Sequence, residues 1–329
     1  MQTPIKLGGF VAALAAVLGI SFGVGNAVGP LGHTATNTHL MEGEDMTNST
    51  TESSSGQTES GYVSRDEGGN PPGGLMISQN GYTFEPSETI LEQGRTTVTF
   101  RILGPDGQPV TDFEPTHDAD LHFFAVARDL NSFDHLHPGM DDSGTWCTDV
   151  DLTPGAWRLL ADFRPVGQET MTLGSDVFVA GDYQAQPLPP VSATATVDDY
   201  TVTVRGGLTA GESSELTLTV ARGGEPVTDL EPYLAAYGHL VALRAGDMAY
   251  LHVHPEGSPG DGTTAPGPEI TFHATAPSSG AYRLFLDFKH GGVVRTAAFT
   301  VHATPSNGSD SPAATGQAEF GAHGDHVHN

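Results

Sequence analysis

The chain repeats itself. Gly107–Pro138 aligns with Gly224–Pro255 without a gap, at a constant offset of 117, and 13 of the 32 positions are identical. GQPVTDFEP answers GEPVTDLEP, and His122, His135, His137 and Pro138 answer His239, His252, His254 and Pro255. Further on, GAWRLLADF (155–163) answers GAYRLFLDF (280–288) after an eight-residue insertion in the second copy. A duplicated domain is the simplest origin of such a pattern, so whatever one half folds into, the other half folds into as well.

Each copy reads as short strands. TTVTFRIL (96–103) and ELTLTVAR (215–222) alternate apolar and polar positions and are rich in β-branched residues. DLHFFAVARD and GHLVALRAGD are short apolar runs that end on turn residues. Gly and Pro number 42 and 23, which suits many turns, and no long stretch keeps a helical period. The expected fold class is all-β: two tandem immunoglobulin-like or cupredoxin-like β-sandwich domains at residues 73–182 and 195–303, joined by a Pro-rich linker at 183–194.

The flanks differ in kind. Lys6 is followed by no charged residue until Glu42, and Leu7 to Val28 is a largely apolar run of 22 residues. Residues 1–29 are therefore expected to form a hydrophobic helix, either a signal peptide or a membrane anchor. Length favours the anchor, and the small-x-small run Gly25-Asn26-Ala27 favours cleavage. Either outcome places the body outside the cytoplasmic membrane, anchored or secreted. Residues 30–72 and 304–329 are poor in large apolar side chains and are expected to be disordered tethers.

Lys and Arg total 13 against 40 Asp and Glu, a formal charge of −27. Such a surface repels phosphate backbones and excludes a nucleic-acid partner. The single cysteine, Cys147, rules out an intramolecular disulfide and Cys-based zinc or iron–sulfur sites, and is expected to be buried and inert. No phosphate loop, nucleophile elbow or zincin helix is present, and an enzyme is not the expected class.

The histidines carry the chemistry. His135 and His137 share one face of a strand. A hairpin centred between Asp129 and Leu130 sets His122 opposite His137, so that three imidazoles converge. The same register in the second copy sets His239 opposite His254, with His252 beside it. Neutral imidazole binds copper, zinc and nickel, and three such ligands make a site. The competing reading is that these are structural histidines copied by duplication. Met140 is a candidate thioether ligand, and Glu256 takes that place in the second copy. Asp162 and Asp287 are either groups that orient a histidine or ordinary strand-end residues. His117, Asp118 and Asp120 lack counterparts and are expected to sit in a solvated loop. His323, His326 and His328 form a further candidate metal-binding tract in the tail.

GNAVGP (25–30), GGLMISQNGYTF (73–84) and LHFFAVARDLNSFDHLHP (121–138) resemble segments of an actinobacterial-type family of exported two-domain proteins, mostly uncharacterised. The domains are similar to YtkA-like and copper-resistance C-type β-sandwich modules, and that resemblance implies an extracytoplasmic setting and copper handling. LHVHPEG (251–257) is also similar to the His-Val-His strand of copper–zinc superoxide dismutase. The bridging histidine and the disulfide of that enzyme have no counterparts here.

The leading expectation is a non-enzymatic, extracytoplasmic metal-binding protein. It would capture or buffer copper, with zinc or nickel as alternatives, at two three-His hairpin sites and a His tail. The alternative is a tethered immunoglobulin-like interaction or structural module of the envelope, with no metal and with a membrane or envelope protein as partner. A copper redox enzyme is a third reading.

Overall fold

A computed structural model describes residues 71–251 and 253–306. The N-terminal apolar segment with its expected helix, most of the tether and tail, and His252 lie outside the described residues. Among the described residues every regular element is a strand, and no helix is long and apolar enough to cross a membrane.

The first domain contains β1 (Ser78–Gln79), β2 (Tyr82–Pro86), β3 (Ile90–Leu91), β4 (Gly94–Leu103), β5 (Leu121–Ala127), β6 (Phe133–Leu136), β7 (Gly139–Met140), β8 (Thr145–Leu152), β9 (Gly155–Phe163) and β10 (Met171–Val179). One sheet runs β1-β2-β4-β8-β7 and the other β3-β10-β9-β5-β6. All pairings are antiparallel except β3 with β10, which is parallel. The run β2-β4-β8-β7 of one sheet thus faces β10-β9-β5 of the other, the immunoglobulin arrangement. The second domain contains β11 (Thr194–Val197), β12 (Tyr200–Gly206), β13 (Ser213–Arg222), β14 (Glu225–Pro226), β15 (Gly238–Arg244), β16 (Tyr250–Leu251), β17 (Val253–Pro255), β18 (Glu269–Thr275), β19 (Gly280–His290) and β20 (Val293–Ala303). Its sheets, β11-β12-β13-β18-β17 and β16-β15-β19-β20, repeat the order.

The inner faces build one core per domain. Alternate residues of β4 (Val98, Phe100, Ile102) meet alternate residues of β5 (Leu121, Phe123, Ala125), and Phe100 stacks on Phe123 at 5.0 Å between ring centroids. With no disulfide to bridge the sheets, stacked aromatics fill the centre: Trp146 lies parallel to Phe100 at 6.3 Å. Tyr282, near the start of β19, donates its hydroxyl to Ser278 O at 2.7 Å and makes the corner characteristic of this fold. In the first copy Trp157 Nε1 donates to Thr153 O at 2.8 Å from the equivalent position.

Strand β5 is buried along its whole length, and that explains its unbroken apolar sequence. Its odd residues enter the core of the first domain. Its even residues, Phe124 and Val126, join Leu130, Leu160, Val241, Leu243, Met248, Tyr250 and Phe285 in a separate cluster shared by both domains. The β10-β9-β5 sheet of the first domain and the β20-β19-β15 sheet of the second therefore pack against each other through their outer faces. Phe133 stacks on Phe285 at 4.1 Å and 7°. Tyr250 N donates to Gly73 O at 2.8 Å, and Arg283 Nε to Leu130 O at 3.3 Å. The Pro-rich stretch between the domains is tied down: Gln186 N donates to Asp129 Oδ2, and Leu188 packs on the shared cluster.

Candidate metal centre

The hairpin of the first copy has the expected register. Phe123 pairs with Leu136 and Phe124 with His135, which sets His122 opposite His137. His122, His135 and His137 lie on the same face of the hairpin as Phe124, turned away from the domain core and toward the second domain. Their donor nitrogens all lie within 4.8 Å of one another. His122 Nδ1 is 3.0 Å from His135 Nε2 and 3.2 Å from His137 Nε2. Two nitrogens bound to one tetrahedral zinc ion at its usual bond length would be about 3.3 Å apart.

The remote nitrogens are anchored. His122 Nε2–H donates to Thr116 O at 2.8 Å. His135 Nδ1–H donates to Asp287 Oδ2 at 2.7 Å, and the other oxygen of Asp287 accepts from Thr296 Oγ1 at 2.5 Å. These bonds fix the tautomers. Neutral His122 directs its Nδ1 lone pair, and neutral His135 its Nε2 lone pair, at the same point. Two lone pairs 3.0 Å apart repel, and a proton or a cation between them makes the contact attractive. A backbone carbonyl and a carboxylate are the groups that orient histidine ligands around metals.

Burial disfavours the charged forms of His122, His137 and His239. It is the main force holding His122 down to about 3 and His137 to about 4, and the positive charge of neighbouring rings adds to it. His239 is held well below its ordinary value, again mainly by burial. The centre grades from buried His122, through His135, to exposed His137 at its mouth.

The second copy does not repeat this geometry. Ala242 pairs with Leu251 and Leu243 with Tyr250, so the register agrees with the expectation up to that point. The chain then crosses to the opposite sheet. Val253–Pro255 pairs with β18, and His254 lies opposite His273 instead of His239. The expected pairing of His239 with His254 is thereby undone, because the crossover comes three residues earlier than the equivalent step in the first domain. His239 instead turns to the first domain's trio: its ring is 5.2 Å from that of His122, at 18°, and 5.0 Å from that of His135. His252, His323, His326 and His328 lie outside the described residues.

Three further expectations change. His117 is half-buried rather than in a solvated loop, its ring 5.1 Å from His239 and 6.0 Å from His122. It sits in a tight turn closed by the Thr116↔Ala119 bridge, with positive φ at His117 and Asp118; Leu234 and Ala235 make the same turn in the second copy. Backbone shape was duplicated there without its sequence. Met140 packs on the first domain's core, on the strand paired with Trp146, and is not a ligand. Cys147 is exposed, since its neighbour Trp146 takes the inward position. Of the two roles open to Asp287, orienting a histidine is the one observed: it holds His135. Its counterpart Asp162 accepts from Thr172 Oγ1 at 2.8 Å, and burial pushes it up to about 6.

Residues 77–179 and 195–305 each match the family described as "Domain of unknown function (DUF8832)". The chain belongs to that family and carries two copies of its domain. No curated protein matches. Among solved structures the chain is similar to FdeC, an Escherichia coli adhesin, at 17% identity over 72% of this chain and 66% of that one, with a TM-score of 0.21. It is similar to InvD of Yersinia pseudotuberculosis at 15% identity over 72% and 61%, TM-score 0.22, and to invasin, a bacterial integrin-binding protein, at 13% over 68% and 39%, TM-score 0.23. The chain thus spans less than two thirds of the length of these three structures.

Proposed function

We propose that this protein binds a transition-metal ion through His122, His135 and His137, and that it works as an extracytoplasmic metal-capturing or buffering module. The observation that carries this reading is the convergence of His122 Nδ1, His135 Nε2 and His137 Nε2, with Thr116 O and Asp287 holding the other nitrogens of His122 and His135. An all-imidazole set without thiolate or thioether suits Cu(II), Zn(II) and Ni(II). Copper remains the first choice, from the resemblance to copper-handling β-sandwich modules. The histidines of the tail would add weaker binding.

A second reading rests on Asp287. A carboxylate against His135 at 2.7 Å is also the counter-ion of a protonated ring. The cluster then holds a proton and locks the two domains, and the protein is a metal-free interaction module of the envelope. The exposed pair Ile90 and Phe178 on the paired β3 and β10 would offer such a module a contact surface.

The two readings part on one titration. Cu(II), Zn(II) and Ni(II) are added to full-length protein with His323, His326 and His328 replaced by Ala. Metal binding predicts one tight equivalent, lost in His122→Ala and His137→Ala, with a rise in Tm on loading. No tight equivalent and a Tm indifferent to metal and chelator would leave the interaction module.

A further inference from the structure

His239 is contributed by the second domain, yet it lies against the first domain's trio. Its Nδ1 is buried and has no hydrogen-bond partner, and the residue is only 7% exposed. A buried polar nitrogen left unmatched is costly, and sites that retain one usually serve something that fills it. The ring separations match such an occupant. Centroids are 5.3 Å apart for His122 and His135, 5.0 Å for His122 and His137, and 4.8 Å for His135 and His137. Those from His239 to His122 and to His135 are 5.2 and 5.0 Å. Four imidazoles on a tetrahedral ion, at the usual metal–nitrogen length, have centroids about 5.2 Å apart.

We infer that the centre is shared between the two domains: the ion held by the trio takes His239 Nδ1 as its fourth ligand. This rests on the metal-binding reading above and deepens it. The ring of His239 stacks on His122, and its Nδ1 is committed to no hydrogen bond within the protein. Asp287 acts from the same side, since it orients His135 across the interface. The ion then ties β15 and β19 of one domain to β5 and β6 of the other. One ion is bound per chain at this place, not one per repeat, and its loading stiffens the interface.

The test uses full-length protein with the tail histidines replaced by Ala, loaded with Cu(II) as the probe. Electron paramagnetic resonance counts the coupled nitrogens, and competition with a chelator gives affinity. The expected result is four nitrogens in the parent and three in His239→Gln and His239→Phe, with affinity at least tenfold lower. The Phe variant retains an aromatic ring on His122 and guards against simple misfolding, which circular dichroism checks. Hydrogen exchange at Phe124–Val126 and Val241–Leu243 should slow on loading in the parent and much less in the variants. If binding is lost in His135→Ala but both His239 variants keep the parent spectrum, affinity and exchange, the shared centre is wrong and the trio stands. If His135→Ala binds copper as the parent does, the trio itself is wrong and the shared centre falls with it.

Discussion

His135 of the first domain donates its Nδ1–H to Asp287 of the second across 2.7 Å, and both side chains are almost wholly buried. The bond joins residues 152 positions apart and couples the orientation of a candidate ligand to the docking of two domains.

Replacing Asp287 by Ala therefore acts twice. It strands the His135 N–H and the Thr296 hydroxyl in a buried site, at a cost of about 3 kcal/mol. It also frees the ring, which should weaken metal binding by roughly 10–100-fold. Chemical denaturation of the apo protein measures the first effect and chelator competition the second.

The stack of Phe133 on Phe285 should decide whether the domains melt together. Phe285 is 3% exposed, and Phe285→Ala should cost about 3 kcal/mol. Calorimetry of the full chain should show one transition in the parent and two in the variant.

Asp162 should give the protein a pH dependence of known sign. Its folded value of about 6 lies above the ordinary carboxylate value, so the folded state binds more protons than the unfolded state between about 4 and 6. Its contribution is complete below about 4 and is lost as pH rises through 6. Asp162→Asn removes that loss while still accepting from Thr172. The variant should match the parent near pH 4 and exceed it near pH 7.5 by about 2–3 kcal/mol. Urea denaturation at both values measures the difference.

The corner bonds should be nearly equivalent in the two repeats. Tyr282→Phe removes the hydroxyl that reaches Ser278 O, and should cost about 1 kcal/mol. Trp157→Phe removes the donor to Thr153 O and also leaves a cavity, so its cost should be larger, about 2–3 kcal/mol. Thermal melts of both variants compare them directly.

Strand identity and hairpin register were legible because they are local. Alternation marked β4 and β13, and turn residues 129–130 fixed the pairing that sets His122 opposite His137. The apolar runs of β5 and β15 looked like ordinary core strands, and nothing in them says that one face is covered by another domain. The path of the chain after Leu251 was equally hidden. A strand that leaves one sheet for another does so under tertiary packing, and the sequence Leu251-His252-Val253-His254 alternates apolar and polar residues without a break that would mark the change. Offset arithmetic thus put His239 with His254, whereas domain docking puts it with His122. His117 was missed for a related reason: its turn recurs in the second copy as backbone only, with Leu234 in place of the imidazole. The one signal within reach was the pair Asp162 and Asp287, since an acidic residue repeated within otherwise apolar runs needs a partner.

The shared cluster of Phe124, Leu160, Val241 and Phe285 has a consequence for how such a chain behaves on dilution. Two copies of one domain meeting through the same sheet form the contact that a homodimer of a single-domain ancestor would make. In a dimer that contact dissolves as protein becomes scarce. Here a short Pro-rich connection holds the two faces at an effective concentration of about millimolar or more. Association becomes first-order, and a site built from both halves stays assembled in a single molecule, however few molecules surround it.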